Sequence, residues 1–232
     1  MIESLYTMKS KEQVCLKAPP KEISFTNPKF SLLIRPLEGR DAACVHEAVI
    51  SSHEALLSFM SWAHQELSKE GQKARLCEAR KNYDAGLEYE LGVFDRNTGE
   101  FIMAASWTPS QRLNRKALEI GYWTHSNHCN KGLATYVTRI LIVVAFDVMK
   151  SDRVEICCNV KNMASLRVIE KCDFKLEGEI RNYFEEPTEE MLRNNYFSER
   201  SCLRYALIPE DKPSLPWYHE IANSISVSPL SP

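Results

Sequence analysis

The sequence predicts a single α/β domain, of the α+β type, in which helices cover both faces of a mixed sheet. Segments that alternate like strands are interleaved with segments of helical apolar spacing, in the order β-α-α-β-β-β-α-β-α-β-β. The chain has 232 residues, 44% of them hydrophobic and 26% charged. This is the composition of an ordinary globular protein that can bury a full core.

Seven segments have the alternation or the β-rich composition of strands, so we expect a sheet of six to seven strands. They are residues 30–37, 89–94, 101–107, 118–123, 153–160, 174–184 and 198–208. Turn residues over 95–99 join the second and third of these segments as a hairpin. About four helices are expected between them: one beginning near Asp41, and others over 67–83, 133–150 and Met163–Lys171.

Both ends of the chain are expected to lie outside this domain. Residues 1–29 mix Lys, Glu, Ser and Pro without periodicity, and Pro19, Pro20 and Pro28 disfavour regular structure. They indicate an N-terminal arm. After residue 208 the composition turns to Pro and Ser, which indicates a C-terminal tail over 209–232. The domain would then span residues 30–208.

Charge and hydropathy argue against several classes of protein. The formal net charge is −2 and no basic run is present, so we expect no nucleic-acid partner. The longest strictly apolar run is residues 140–146, too short for a membrane span, and residues 1–30 hold no signal-peptide segment. The eight cysteines include no C-x-x-C pair and are interpreted as reduced thiols. We therefore expect a cytoplasmic protein that binds neither a membrane nor a metal.

The residues around Gly132 have the form of a phosphate cradle. A strand over 118–123 is followed by a polar loop over 125–131, then by Gly132 and a helix. The first-turn N–H groups of a helix have no intrahelical partner, and the helix dipole favours an anion there. Glycine lets the backbone come close to phosphate oxygens. Such junctions are common, so this pattern alone does not specify a ligand.

A second polar pair follows the strand over 153–160. Asn162 ends that strand, and Ser165 comes one helical turn later on the same face. An asparagine amide suits a ligand that contains amides, and a serine hydroxyl can give a proton. Two simpler interpretations stay open: Asn162 as a helix N-cap and Ser165 as a surface serine.

Together these segments resemble the GNAT superfamily of acetyl-CoA-dependent N-acetyltransferases, and within it the branch that acetylates the N-termini (alanine) of ribosomal proteins. The resemblance is carried by EIGYW at 119–123, NKGLAT at 130–135 and NMASLRVIEKCDF at 162–174, and it covers about residues 30–208. It implies a single GNAT-like domain with a mixed, mostly antiparallel sheet that splays between its fourth and fifth strands. The implied reaction moves acetyl from acetyl-CoA to a primary amine by direct attack in a ternary complex.

The resemblance also implies where acetyl-CoA, as co-substrate, binds. The backbone of Ile120, Tyr122 and Trp123 would bond the pantetheine arm together with Asn162. Ser165 would protonate the departing thiolate. The pyrophosphate would sit on the N–H groups of the loop and the first helical turn, which belong to Cys129, Asn130, Lys131, Gly132, Leu133, Ala134 and Thr135.

The sequence departs from the superfamily pattern at three positions. Many members use a tyrosine as the acid, and Ile169 stands at the matching position; the ribosomal branch instead has a serine where Ser165 lies. The loop begins with Cys129 where the superfamily has Gln or Arg, and Asn130 follows where the ribosomal branch commonly has Gly. We expect the backbone N–H groups to carry most of the phosphate binding regardless.

The general base has three candidates. Glu119 lies on the central strand, where a half-buried carboxylate gains a raised pKa. His125 and His128 are of a residue type that often acts as a base. They flank Ser126, which aligns with a glutamate proposed as the base in the ribosomal branch. Glu119 is slightly preferred over the two histidines.

The acceptor pocket is expected between residues 56–64 and the loop over 185–197. Phe59, Trp62, Glu119, Tyr183 and Tyr196 are the candidate acceptor-binding residues. Four glutamates could give the loop a field suited to a cationic amine, although glutamates also line solvated helix faces. They are Glu185, Glu186, Glu189 and Glu190.

The identity of the acceptor stays open at this level. The leading hypothesis is the N-terminal amine of a protein or peptide. A small-molecule amine (a polyamine, amino acid or drug) is the main alternative, and a catalytically silent CoA-binding protein or a plain interaction module are two others. The chain could act as a monomer or a homodimer.

Overall fold

The computed structural model describes residues 16–65, 68–110 and 116–228, and nine strands in these ranges form one open sheet. They are β1 (Glu22–Thr26), β2 (Ser31–Pro36), β3 (Tyr89–Asp95), β4 (Phe101–Pro109), β5 (Ala117–Thr124), β6 (Arg153–Asn159), β7 (Lys175–Ile180), β8 (Cys202–Leu207) and β9 (Ile225–Ser228). Their spatial order is β7-β8-β6-β5-β4-β3-β2-β1-β9. Neighbouring strands are antiparallel except for β5 and β6, which run parallel. The predicted mixed, mostly antiparallel sheet is confirmed.

Helices pack on both faces of the sheet. They are α1 (Ala42–Ser51), α2 (His53–Leu57), α3 (Lys69–Asp84), α4 (Leu133–Asp147), α5 (Met163–Lys171), α6 (Glu189–Arg193) and α7 (Tyr218–Ser224). Residues of α1 and α3 join one buried cluster, and residues of α4, α5 and α7 join the other. No helix in the part of the chain that the structure describes is long and apolar enough to cross a bilayer.

Helix α4 forms the centre of the core. Ile140, Leu141 and Val144 are fully buried, and most other residues of this helix are buried as well. A helix that is apolar on nearly all sides must be covered on all sides, here by the sheet, α5 and α7. The indole of Trp107 on β4 donates to the carbonyl of Leu141 at 3.3 Å. The helix is therefore packed against the sheet and also hydrogen-bonded to a side chain of β4.

The segment expected to be an N-terminal arm contributes β1, the strand next to the edge strand β9. In β1, Ile23 and Phe25 are each 1% exposed and alternate with polar residues, as in a half-buried strand. The strand pairs with β2 on one side and with β9 on the other. The prolines at 19, 20 and 28 lie outside the strand and only bound it. The sheet consequently has more strands than the six to seven predicted.

The segment expected to be a C-terminal tail also folds onto the domain. Trp217, Tyr218 and Ile221 are buried with α4 in the main core. The indole N–H of Trp217 donates to Asp173 Oδ2 at 2.8 Å, and the Arg139 guanidinium lies 5.1 Å from the Trp217 ring centroid. This short apolar group was not recognised in the sequence because prolines and serines surround it. The sheet and its core thus extend beyond residues 30–208 at both ends.

Candidate active site

The fourth and fifth predicted strands, β5 and β6, separate halfway along their length. The parallel ladder joins Ala117 to Arg153, Leu118 to Val154 and Glu119 to Glu155, and ends there. A cavity of about 540 Å³ opens beyond this point, lined by residues 120–123 of β5 and 156–159 of β6. Backbone amides along the open strand edge are left for a ligand. This separation lies between the two strands where the resemblance implied a splay.

Gly132 sits at the N-terminus of α4 in a left-handed conformation with φ 85°, and Asn130 before it has φ 60°. The first ladder bond of the helix runs from Tyr136 N to Gly132 O at 3.2 Å, so the N–H groups of the first turn have no intrahelical partner. No described atom lies within 4 Å of the position that a Cβ on Gly132 would take. The junction is open to an anion, as expected.

The remaining residues of this junction differ in how far their side chains are buried. The side chains of Leu133 and Thr135 are buried, so only their backbone N–H groups face outward. Lys131 is exposed and adds a cation beside the loop. Ala134 is half-buried in the first turn. The geometry thus agrees with binding mainly through the backbone.

Cys129 turns its side chain back towards the preceding strand. Its sulfur contacts the carbonyl oxygens of Thr124 at 3.8 Å and of His125 at 3.7 Å. Partial burial raises the pKa of the Cys129 thiol, which keeps it neutral. The thiol therefore steadies the loop and offers no charge to an anion.

Asn162 and Ser165 both line the cavity at the start of α5. Asn162 is the N-cap of this helix, and its Oδ1 accepts from Ser165 N at 3.1 Å. The N-cap interpretation is therefore correct, and the NH₂ of Asn162 is the group left for a ligand. Ile169 is fully buried one turn further along, so the position where many superfamily members have a tyrosine is packed into the core.

The side chain of Tyr122 also reaches the cavity, next to Ser165. Its hydroxyl was not identified from the sequence as a candidate functional group. Its Oη is buried and has no hydrogen-bond partner among the described residues. Burial raises the pKa of Tyr122, and the neighbouring Ser165 hydroxyl lowers it in part. Only the Tyr122 backbone was expected to contact a ligand, because a tyrosine alternating with Leu118 and Ile120 reads as core.

Glu119 lies on the other face of β5, half-buried and directly before the residues that line the cavity. Burial raises the pKa of Tyr183, and the charge of Glu119 adds to that shift. The hydrogen bond with Cys202 and burial raise the pKa of Cys157, and the charge of Glu119 again adds to the shift. The charge of Glu119 also helps to raise the pKa of Arg204, after the larger effects of Cys157 and Glu155. Glu119 therefore stands at the split, on the face opposite Tyr122.

The two candidate histidines are engaged elsewhere. His125 is buried, and its Nε2 lies 2.9 Å from Ser51 Oγ. His128 Nε2 lies 3.0 Å from Glu100 Oε1. Neither histidine lines the cavity. Of the three candidates for the base, Glu119 is the one that lies next to residues lining the cavity.

Aromatic side chains form the outer walls of the cavity. Phe59 and Trp62, two of the candidate acceptor-binding residues, line it, and Phe59 stacks on Phe197 with 5.7 Å between ring centroids. The backbone N–H of Phe197 donates to Ser58 O at 3.3 Å, which ties the two predicted walls together. Phe184 and Phe197 are lining residues that the sequence did not identify.

Several acceptor candidates lie outside the lining. Tyr196 is buried against Phe197 and His64, and Tyr183 is 38% exposed next to Phe184. A loop without periodicity does not reveal which of two adjacent aromatic residues faces inward. The four glutamates of this loop are exposed and do not line the cavity, and Glu189 pairs with Arg193 at 3.7 Å in α6. They form a solvated surface. Nor do the described residues contain a His/Cys/Asp/Glu group that could hold a metal.

Comparison with known proteins supports the resemblance to the GNAT superfamily. A family model described as "Acetyltransferase (GNAT) domain" matches residues 31–175, more than half of the chain. The Bacillus subtilis protein named "Putative ribosomal N-acetyltransferase YdaF" is 31% identical over 158 residues, which cover 65% of this chain and 81% of that protein.

Two solved structures show the same fold. Mycobacterium smegmatis RimJ, in complex with a CoA disulfide, has a TM-score of 0.73 at 19% identity, covering 91% of this chain and 100% of RimJ. The ribosomal-protein-S5-alanine acetyltransferase of Vibrio fischeri has a TM-score of 0.66 at 21% identity, covering 81% of this chain and 97% of that protein. The chain therefore belongs to the GNAT family of acetyl-CoA-dependent N-acetyltransferases.

Proposed function

We propose that this protein acetylates the N-terminal amine of a protein or peptide, by direct attack of the amine within a ternary complex. The observation that best supports this is one continuous cavity through the split in the sheet. Asn162 and Ser165 line it on the α5 side, and Phe59 and Trp62 line it on the opposite side. Cofactor and acceptor could therefore enter from different faces and meet beside β5.

Acetyl-CoA, when bound, supplies the acetyl thioester. In this proposal the N–H groups from Asn130 to Thr135 bind the pyrophosphate, and the Lys131 ammonium screens its charge. The Cys129 N–H, also expected to contribute, instead donates to Ser126 O at 3.2 Å. The open edge of residues 120–123 bonds the amides of the pantetheine arm, assisted by Asn162. The left-handed backbone at Gly132 and the unpaired strand edge support this placement.

Two protons must move during the reaction. Glu119 accepts the proton of the attacking amine, directly or through one water. Ser165 gives its hydroxyl proton to the sulfur that departs, and Tyr122 replaces it from the adjacent hydroxyl. Since the pKa of Tyr122 is raised, its hydroxyl carries a proton at neutral pH. After turnover Glu119 releases its proton to solvent and Tyr122 takes one up from solvent. The enzyme then returns to its starting protonation state, and overall one proton has passed from the amine to the thiol.

The form of the cleft favours a peptide acceptor. Aromatic walls from two separate segments flank it, and Trp62 remains 39% exposed at its edge. An extended chain could lie between such walls with its amino terminus at the split. The similarity to YdaF and to the Vibrio fischeri enzyme, both named for acting on ribosomal proteins, points to the same acceptor class. A cytoplasmic location and a monomeric or dimeric state stay predictions.

The test is release of CoA thiol from acetyl-CoA in the presence of four probes. These are a peptide with a free N-terminus, the same peptide with its α-amine blocked, spermidine, and a free amino acid. We expect turnover with the free peptide alone, and mass spectrometry should place one acetyl group on its α-amine. Turnover with spermidine or the amino acid alone would replace this proposal with a small-molecule acceptor. Binding of acetyl-CoA without any turnover would indicate a silent family member.

A further inference from the structure

The cavity has a polar end that neither the resemblance nor the proposed chemistry uses. There it is lined by side chains from α3 and from the strands beneath it: Gln72, Arg75, Glu88, Glu90 and Ser106. Ser106 stands opposite Glu90 in the β3–β4 ladder and opposite Gly121 in the β4–β5 ladder. The polar end therefore continues across the sheet from the split, on the same face as Glu119.

Gln72 presents an unsatisfied donor to this space. The residue is 1% exposed, lines the cavity, and its Nε2 has no hydrogen-bond partner among the described residues. Buried amide groups in folded proteins are almost always hydrogen-bonded. A ligand that places an oxygen acceptor beside Gln72 would supply the missing partner.

The charges at this end do not cancel. Arg75 holds Glu90 in a two-pronged ion pair with both N–O distances at 2.9 Å. Glu88, two residues before Glu90, forms no ion pair with any residue that the structure describes. Glu88 is an exposed residue. Partial desolvation of its carboxyl and the neighbouring Glu90 raise the pKa of Glu88, and the charge of Arg75 lowers it in part. A cation brought next to Glu88 would balance that charge.

These two features together select a class of ligand. A polyamine offers cations but no oxygen acceptor for Gln72, because protonated amines only donate. A peptide with a basic side chain offers both groups. Glu90 on β3 lies two strand spacings from Gly121 on β5, about 10 Å across the sheet. That distance corresponds to roughly three extended residues, or fewer when a long basic side chain covers part of it.

We propose that Gln72 and Glu88 form an acceptor subsite for peptides that carry a basic residue at the second or third position. Gln72 donates to a peptide carbonyl, and Glu88 pairs with the basic side chain. The proposal rests on the function proposed above, because it presupposes that the acceptor is a peptide N-terminus. It goes further by assigning a sequence preference.

The test compares peptides that differ in one charge. Two peptides with free N-termini carry either arginine or its neutral isostere citrulline at the second position, with a parallel pair for the third. Arginine is used because it has no amine that could itself be acetylated. We expect wild-type enzyme to favour the arginine peptide by about tenfold in kcat/KM at one position or both.

Variants locate the origin of that preference. In Glu88→Gln the ratio between arginine and citrulline peptides should fall to about one. In Gln72→Leu both peptides should lose kcat/KM by about tenfold while the ratio persists, because the lost hydrogen bond does not depend on charge. Glu78→Gln is the matched control: Glu78 lies on α3, pairs with Lys81 and does not line the cavity. The ratio of kcat/KM between the arginine and citrulline peptides should be the same in Glu78→Gln as in the wild type.

The outcomes separate this proposal from the proposed function. Peptides that are acetylated with no arginine preference, or with a preference that folded Glu88→Gln retains, would overturn the subsite and leave peptide acetylation standing. If no peptide is acetylated, the proposed function fails and the subsite fails with it. Thermal denaturation shows whether each variant is folded, and the wild-type comparison of the two peptides requires no variant.

Discussion

Glu119 stands directly across from Glu155 in the last residue pair that joins β5 to β6. The two carboxylates lie side by side on neighbouring strands, yet their surroundings differ. Glu155 is buried and held by ion pairs with Arg153 and, at 3.7 Å, with Arg204. Glu119 is half-buried next to the residues that line the cavity. The same strand position thus has a structural residue on β6 and a candidate catalytic one on β5.

If Glu119 is the general base, Glu119→Gln should lower kcat by about 100-fold, at the lower end of what proton transfer usually contributes. The affinity for acetyl-CoA should stay within a few-fold of wild type, because the proposed cofactor contacts are elsewhere. Steady-state kinetics on the best peptide acceptor, with calorimetry for acetyl-CoA, would measure both.

Glu155→Gln is the matched comparison for Glu119→Gln. It leaves the Arg153 and Arg204 charges under-compensated, so we expect a lower midpoint of urea unfolding with kcat close to wild type. A Glu119→Gln enzyme with undiminished kcat would exclude Glu119 as the base.

Ser165→Ala should cut kcat on the order of 100-fold with acetyl-CoA affinity within a few-fold of wild type, since protonation of the leaving sulfur helps only as its bond breaks. Tyr122→Phe should also lower kcat, because Tyr122 resupplies the proton in the proposed chemistry. If the two hydroxyls act as one relay, the double variant should lose little more than Ser165→Ala alone. Full activity of Ser165→Ala would remove this serine from the mechanism.

Gly132→Glu should abolish acetyl-CoA binding, because a carboxylate would compete with the pyrophosphate and φ 85° disfavours any side chain there. Gly99→Glu provides the control: Gly99 also has a positive φ, 75°, and no described atom near its would-be Cβ, but it lies in the β3–β4 hairpin. Calorimetry should find binding lost only in the first variant. Unchanged affinity in a folded Gly132→Glu protein would place the cofactor elsewhere.

Cys129→Gln should leave the affinity for acetyl-CoA equal or better, since the Cys129 thiol is neutral and its sulfur contacts the carbonyls of Thr124 and His125. The family's usual glutamine would add a donor at this position. A loss above tenfold, about 1.4 kcal/mol, would show that the thiol supports the loop in a way that glutamine cannot replace.

Trp217→Ala should lower the free energy of unfolding by about 3–5 kcal/mol, the usual cost of removing a large buried aromatic side chain. Trp217 is 3% exposed and its indole is hydrogen-bonded to Asp173. Val227→Ala, at a position 37% exposed, should change stability little by comparison. Equal stability of the two variants in urea unfolding would mean that residues 209–228 do not belong to the cooperative domain.

Much of the candidate site could be predicted from the sequence because its parts are local. The strand, loop, Gly132 and helix junction is one continuous stretch, and α5 was predicted with the bounds that it has, Met163–Lys171. Asn162 and Ser165 lie within one helical turn, so their shared face follows from helix geometry alone. The hairpin between β3 and β4 likewise follows from its turn residues.

Tertiary structure decided the features that join distant parts of the chain. Phe25 of β1 pairs with Ile225 of β9 at one edge of the sheet. The sequence pattern of each segment alone is too weak to predict a strand, and the pairing between them stabilises both. Phe197 lines the cavity where Tyr196 does not, because a backbone bond to Ser58 fixes which of them turns inward. Gln72 and Glu88 line one cavity only because α3 packs against β3. The sequence by itself therefore determined the elements and the local ligand cradle, whereas long-range backbone pairing and packing decided the edges of the sheet and the acceptor face.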